Sequence, residues 1–125
     1  MNGKKSKSLN DLFVCQMKNQ DKFLRSGIYD RFKDETTMTV PVDDVGLASY
    51  HVQQLMSEIG EVLEADKRWK SHRNDKNDKD GKLEELADCF IVLMNMVMFS
   101  GFDGNDLEEA IEKKLKKVSD RFEDA

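Results

Sequence analysis

Four stretches of the 125-residue chain repeat apolar side chains at helical spacing, and polar or turn-forming residues separate them. The first is LNDLFVCQMKNQDKFLRS, where Leu9, Leu12, Phe13, Met17 and Leu24 recur every three or four residues, with Ser8 placed to cap the helix and Gly27 to stop it. The following IYDRFKDETTMTVP is polar, carries β-branched threonines and ends in the only proline, so it reads as a connection that crosses the bundle. Asp43 or Asp44 then caps a second helix in which Val45, Ala48, Val52, Leu55, Ile59, Val62 and Leu63 share one arc, expected to be its buried face. Glu58 and Glu61 flank that arc. Gly60 between them weakens a helix by about 1 kcal/mol relative to alanine, and marks either a tolerated glycine or a close approach by another backbone or a ligand.

SHRNDKNDKDGK has no apolar period and reads as a loop. A third helix is expected from near Lys82 through LEELADCFIVLMNMVMFSG, apolar on every side as befits the central helix of a bundle, with Gly101 ending it. A fourth follows in DGNDLEEAIEKKLKKVSDRF. There Asn105 is the expected N-cap with Glu108 three residues on, and Leu107, Ile111, Leu115, Val118 and Phe122 form a stripe. The pattern predicts an all-α fold with a four-helix-bundle-like core, one domain over residues 1–125 without internal repeats.

Composition narrows the function. The net charge of −5 argues against binding nucleic-acid polymers or anionic membranes, both of which need a basic surface. The lysines of GKKSK belong to a solvated basic tail over residues 1–7. Cys15 and Cys89 are too few and too far apart for a disulfide framework or a zinc site, and suit a reducing compartment, with Cys89 in the core. The longest apolar run, CFIVLMNMVMF, is too short to span a bilayer and is interrupted by Asn95, and no signal-peptide region precedes it. A soluble, cytoplasmic protein is expected.

The carboxylates carry the chemistry. Glutamates three apart on a helix repel by a few tenths of a kcal/mol. With 36% of residues charged, one E-x-x-E is commonly only a wet helix face. A second such pair changes that reading: Glu85 and Asp88 open the most apolar stretch, and with Val92 and Asn95 they fall within an arc of roughly 80°. Four acids from two antiparallel neighbouring helices are hard to keep ionised without cations between them. Mg²⁺ suits carboxylates, water and phosphate oxygens. His51 and His72 lack the E-x-x-H spacing of di-iron bundles, which disfavours that chemistry.

EIGE at 58–61 and EELAD at 84–88, separated by a polar spacer, resemble the signature of the MazG-like all-α nucleoside triphosphate pyrophosphohydrolases, which include dCTP pyrophosphatases and dimeric dUTPases. The resemblance extends to RWK at 68–70, Asn95 and KVSDRF at 117–122, covering roughly residues 45–122 of a family core placed at 42–123. Val118 stands where many relatives of the dCTP pyrophosphatases carry asparagine, and the spacer is longer than in compact members. Both departures bear on the substrate rather than the reaction.

The resemblance implies hydrolysis of a (deoxy)nucleoside triphosphate to monophosphate and pyrophosphate, in the service of nucleotide-pool sanitising. Glu58, Glu61, Glu85 and Asp88 would hold Mg²⁺, with Mn²⁺ as a substitute, and Glu61 or Glu58 would accept a proton from the attacking water. Lys117 and Arg121 would reach the phosphates. Trp69 would stack on the base or serve as a core or interface aromatic, Lys70 would contact phosphate, and Asn95 would bond a ribose or base edge. A homo-oligomer, dimer or tetramer, is implied, with subunits completing one another's pocket. The competing readings are a non-enzymatic helical binding module that keeps the carboxylates as a structural metal cluster, and a plain helical interaction protein.

Overall fold

The computed structural model describes residues 7–70 and 77–123. These form helices α1 (Leu9–Ser26), α2 (Val45–Ala65), α3 (Lys79–Phe99) and α4 (Gly104–Glu123), plus one 3₁₀ turn at Asp30–Phe32. The chain is all-α, as its hydrophobic pattern predicts.

The caps explain where each helix begins. Ser8 Oγ accepts from the Asp11 amide while Asp11 returns a bond to the Ser8 amide, and Gly27 ends α1 at φ 88°. Asp44 caps α2 by accepting from the Leu47 amide at 2.9 Å. Two starts differ from expectation, because an aspartate upstream captures the free amides first. Asp78 accepts from the Gly81 amide, so α3 begins at Lys79, three residues before the expected start near Lys82. Asp103 and Asp106 cap α4 reciprocally, which places Asn105 inside the helix rather than at its cap. Residues 71–76 of the expected loop, His72 among them, and residues 1–6 of the basic tail lie outside the described residues.

Ties at both ends make α2 and α3 antiparallel neighbours. At one end the Asp78 amide donates to the Ala65 carbonyl at 2.9 Å and Asp66 pairs with Asn77 in an antiparallel bridge. The Asp66 carboxylate also receives the Arg68 fork and, at 2.7 Å, the Lys82 ammonium, and these partners hold it far below the usual carboxylate range. At the other end the Asp43 amide donates to the Phe99 carbonyl at 2.8 Å. After α3 the chain bends by 112°. The first turn of α4 meets α1, where the Asn10 amide donates to Glu108 at 2.7 Å, and a Cβ on the buried Gly104 would collide with Asn10.

The core is small. Phe13, Leu47 and His51 are fully buried, joined by Tyr29, Cys89 and Val92, and by the polar Gln16, Gln20 and Asn95. The α2 arc expected inside is largely outside: α2 buries Leu47 and His51, which lie off that arc, while Val45, Val52, Ile59 and Leu63 stay exposed. Nor is α3 wrapped on every side, since Leu83 and Phe90 face out. The bend before α4 is the reason, because that helix turns toward α1 and leaves one side of the α2–α3 pair uncovered.

Candidate metal centre and ligand cavity

The antiparallel register sets Glu58 of α2 against Glu85 and Asp88 of α3. Each of the three offers one carboxylate oxygen within 4.8 Å of the others. Glu58 and Glu85 are half-buried and Asp88 is exposed. Among the described residues no lysine or arginine pairs with any of them, and Lys82, nearby on α3, is engaged by Asp66. Among the described residues the mutual repulsion is therefore uncompensated. Burial pushes the Glu85 carboxyl above its ordinary value, and the charges of Asp88, Glu61, Glu58 and Glu84 push it further. Burial and the same group of acids raise the Cys89 thiol. An all-oxygen donor set at this spacing fits a hard divalent cation. Glu61 is exposed and stands outside the tight group, close enough for its charge to act on Glu85.

A cavity of about 300 Å³ opens beside the acids, and Glu58 and Asp88 belong to its wall as well as to the acidic group. Phe23, Ile28, Ile91 and Val92 supply its apolar sides. Its polar lining comes from Gln16 and Gln20 of α1, Tyr29, Tyr50 and Gln54 of α2, and Asn95 of α3. Gln16, Gln20, Tyr29 and Asn95 are chained together, and Tyr50 and Gln54 form a separate pair. Asn95 Oδ1 accepts from Gln16 Nε2 at 2.8 Å and from Gln20 Nε2 at 3.0 Å. The Tyr29 hydroxyl donates to Gln20 Oε1 at 2.6 Å, Asn19 donates to Gln16 Oε1, and Gln54 Nε2 donates to the Tyr50 oxygen. Burial raises the Tyr29 hydroxyl above its ordinary pKa, so Tyr29 stays a donor at neutral pH.

Glu58, Asp88 and Asn95 thus line one space, Glu85 joins Glu58 and Asp88 in the acidic group without lining it, and Glu61 belongs to neither. Trp69, Lys70, Lys117 and Arg121 do not line that space. The Trp69 indole donates to the Leu63 carbonyl at 3.3 Å and carries the Lys70 ammonium 5.2 Å from its ring centre. Lys117 and Arg121 sit exposed on α4. The sequence reading missed Gln16, Gln20, Tyr29 and Gln54. A signal was present for two of them: Gln16 and Gln20 share the face of α1 that carries Phe13, and amides on an apolar face need partners. Comparison with protein-family models, with curated proteins and with solved structures returned no match.

Proposed function

We propose that the chain is a Mg²⁺-dependent nucleoside triphosphate pyrophosphohydrolase of the MazG-like kind, converting a (deoxy)nucleoside triphosphate and water to the monophosphate and pyrophosphate. The observation that carries the reading is the junction of two features: a carboxylate group without a cationic partner among the described residues and a nucleoside-sized polar cavity that share Glu58 and Asp88. A cation alone would explain the first, but not the second.

Glu58, Glu85 and Asp88 would hold the Mg²⁺, or Mn²⁺ in its place. The bound ion would neutralise phosphate charge and acidify a water. Glu61, outside the tight group and in solvent, is free to take up a proton from that water, with Glu58 as the other candidate. The amide-lined end of the cavity orients the nucleoside. Among the described residues that line the cavity there is none of the cations that a triphosphate calls for, whereas Lys117 and Arg121 stand on α4 beside an exposed apolar stripe. A homo-oligomer, dimer or tetramer, joined through that stripe would bring them to a neighbour's site. Cytoplasmic nucleotide-pool sanitising is the role that follows.

Purified protein incubated with each dNTP and NTP plus Mg²⁺, with products separated by ion exchange, tests the reaction. Monophosphate and pyrophosphate are expected, with the rate about 100-fold lower or less in Glu58→Gln. Folded protein that binds Mg²⁺ and leaves every triphosphate intact would identify a binding module instead. Diphosphate and phosphate as products would mean that the bond is wrongly assigned.

A further inference from the structure

The fully buried ring of His51 borders a second, smaller cavity of about 70 Å³. It lies where α2 begins and α3 ends, beside the bond from the Asp43 amide to the Phe99 carbonyl. His51 precedes Glu58 by seven residues, about 10 Å along α2, so this space is apart from the acids. The wall is apolar at Val52, Met96 and Phe99 and polar at Asp43, Asp44 and Ser100. Among the described residues, neither Nδ1 nor Nε2 of His51 has a hydrogen-bond partner. Burial keeps the imidazole neutral at pH 7, so the ring carries one N–H donor and one bare acceptor nitrogen. Leaving both unmade in the interior is costly.

The rest of the polar wall accepts. Ser100 Oγ donates its proton to the Met96 carbonyl at 2.7 Å, which leaves the oxygen as an acceptor. Asp44 Oδ2 takes the Leu47 amide, and the other carboxylate oxygen remains to be offered. A molecule between these groups and His51 must donate to oxygens and either donate to or accept from the ring. Water does both. A hard cation takes about six or more oxygens, which three oxygen-bearing residues do not supply. Among the described residues, the donor group spaced for a metal is that of Glu58, Glu85 and Asp88, and His51 is not in it. Asp43 and Asp44 repel an anion. An organic ligand is too large, whereas water takes about 30 Å³ in the liquid, so the space suits about two molecules.

We infer that this cavity is an internal hydration site in which about two ordered waters partner His51 and bridge it to Asp44 and Ser100. The waters join α2 to the C-terminal turn of α3 and so close the end of the hairpin opposite Asp66. His51 anchors solvent there and takes no part in the proposed reaction.

A high-resolution crystal structure of the full chain, with a second crystal under xenon pressure, reads the cavity directly. The expected result is a water peak within about 3.2 Å of a His51 nitrogen and of at least one further polar atom, and no xenon. Xenon in the cavity, or no density at all, would show that it is dry and overturn the inference. A peak ringed by about six oxygens at about 2.4 Å would be a metal ion and overturn it as well. In solution, the wild-type His51 ring protons should show cross-relaxation with long-lived water, and its absence would overturn the inference without reliance on a variant. His51→Phe, which keeps an aromatic ring, should lose the peak nearest the ring. The same peaks unchanged in that variant would show that Asp44 and Ser100 hold the water alone, which removes the role given to His51.

Discussion

His51 is fully buried, yet among the described residues neither of its ring nitrogens has a hydrogen-bond partner. The Tyr29, Tyr50 and Phe99 rings surround it at 5.4–6.2 Å between centres, and a cavity of about 70 Å³ bordered by Asp43, Asp44 and Ser100 adjoins it. Burial lowers its pKa below the ordinary 6.5, so the folded state resists a proton that the unfolded chain accepts. At pH above about 6.5 both states are neutral and the residue contributes no pH dependence. As pH falls below that value the unfolded state gains the proton and stability drops, with a slope of up to about 1.4 kcal/mol per pH unit from this group. Urea denaturation at pH 7.5 and 5.5 should therefore show a lower midpoint in acid, and His51→Phe, which keeps a ring among the aromatics, should flatten the difference. An unchanged slope in the variant would assign the titration to another group. At this scale Asn95 was legible, because a lone amide in so apolar a helix needs a partner. Its partners were not, because glutamines in a polar-looking helix show their burial only once the apolar face of that helix is docked.

Capping chemistry made the helices readable, and its competition made their ends less so. Ser8, Asp44 and Gly27 act where their residue types place them, while Asp78 starts α3 ahead of the expected Lys82 and Asp103 displaces Asn105 as the cap of α4. Gly60 separates two expectations that the sequence alone leaves open. A Cβ built there meets nothing within 4 Å, so no backbone among the described residues approaches closely. Gly60→Ala should raise the unfolding free energy by about 1 kcal/mol through helix propensity, read from the urea midpoint at constant m-value. If hydrolysis is lost while stability rises, the space beside Gly60 is filled by a molecule from outside the chain. The paired acids were legible as a pair of turns on two helices, and the separation of Glu61 from the tight group was not. That depends on how far each helix rotates about its own axis, which spacing does not specify.

Across the whole molecule, apolar surface exceeds what one copy covers. Along α4, Leu115 is 63% and Phe122 79% exposed, and Ile111 and Val118 continue the stripe, while Met56, Ile59, Phe90 and Leu93 face out from α2 and α3. Lys114 and Arg121 border the α4 stripe, opposite in sign to the acids of α2 and α3. If copies associate through these faces, sedimentation equilibrium should give at least twice the chain mass. Leu115→Glu, which places a charge in the stripe, should then weaken association by about tenfold or more. A monomeric wild-type protein at micromolar concentration would leave the stripe without that role. The sequence showed the stripes but not whether they face inward, because a helical period reads the same whether a helix packs within its own chain or against another. The clasp around Asp66 has a consequence for connectivity. Because Asp66, Asn77, Asp78 and Lys82 close the α2–α3 hairpin at its base, the chain between them need not hold the two helices together. Doubling the length of such a connection raises its closure entropy by only about 0.6 kcal/mol. This segment can therefore be lengthened, grafted or opened to make new chain termini, while the acids of α2 and α3 keep their register.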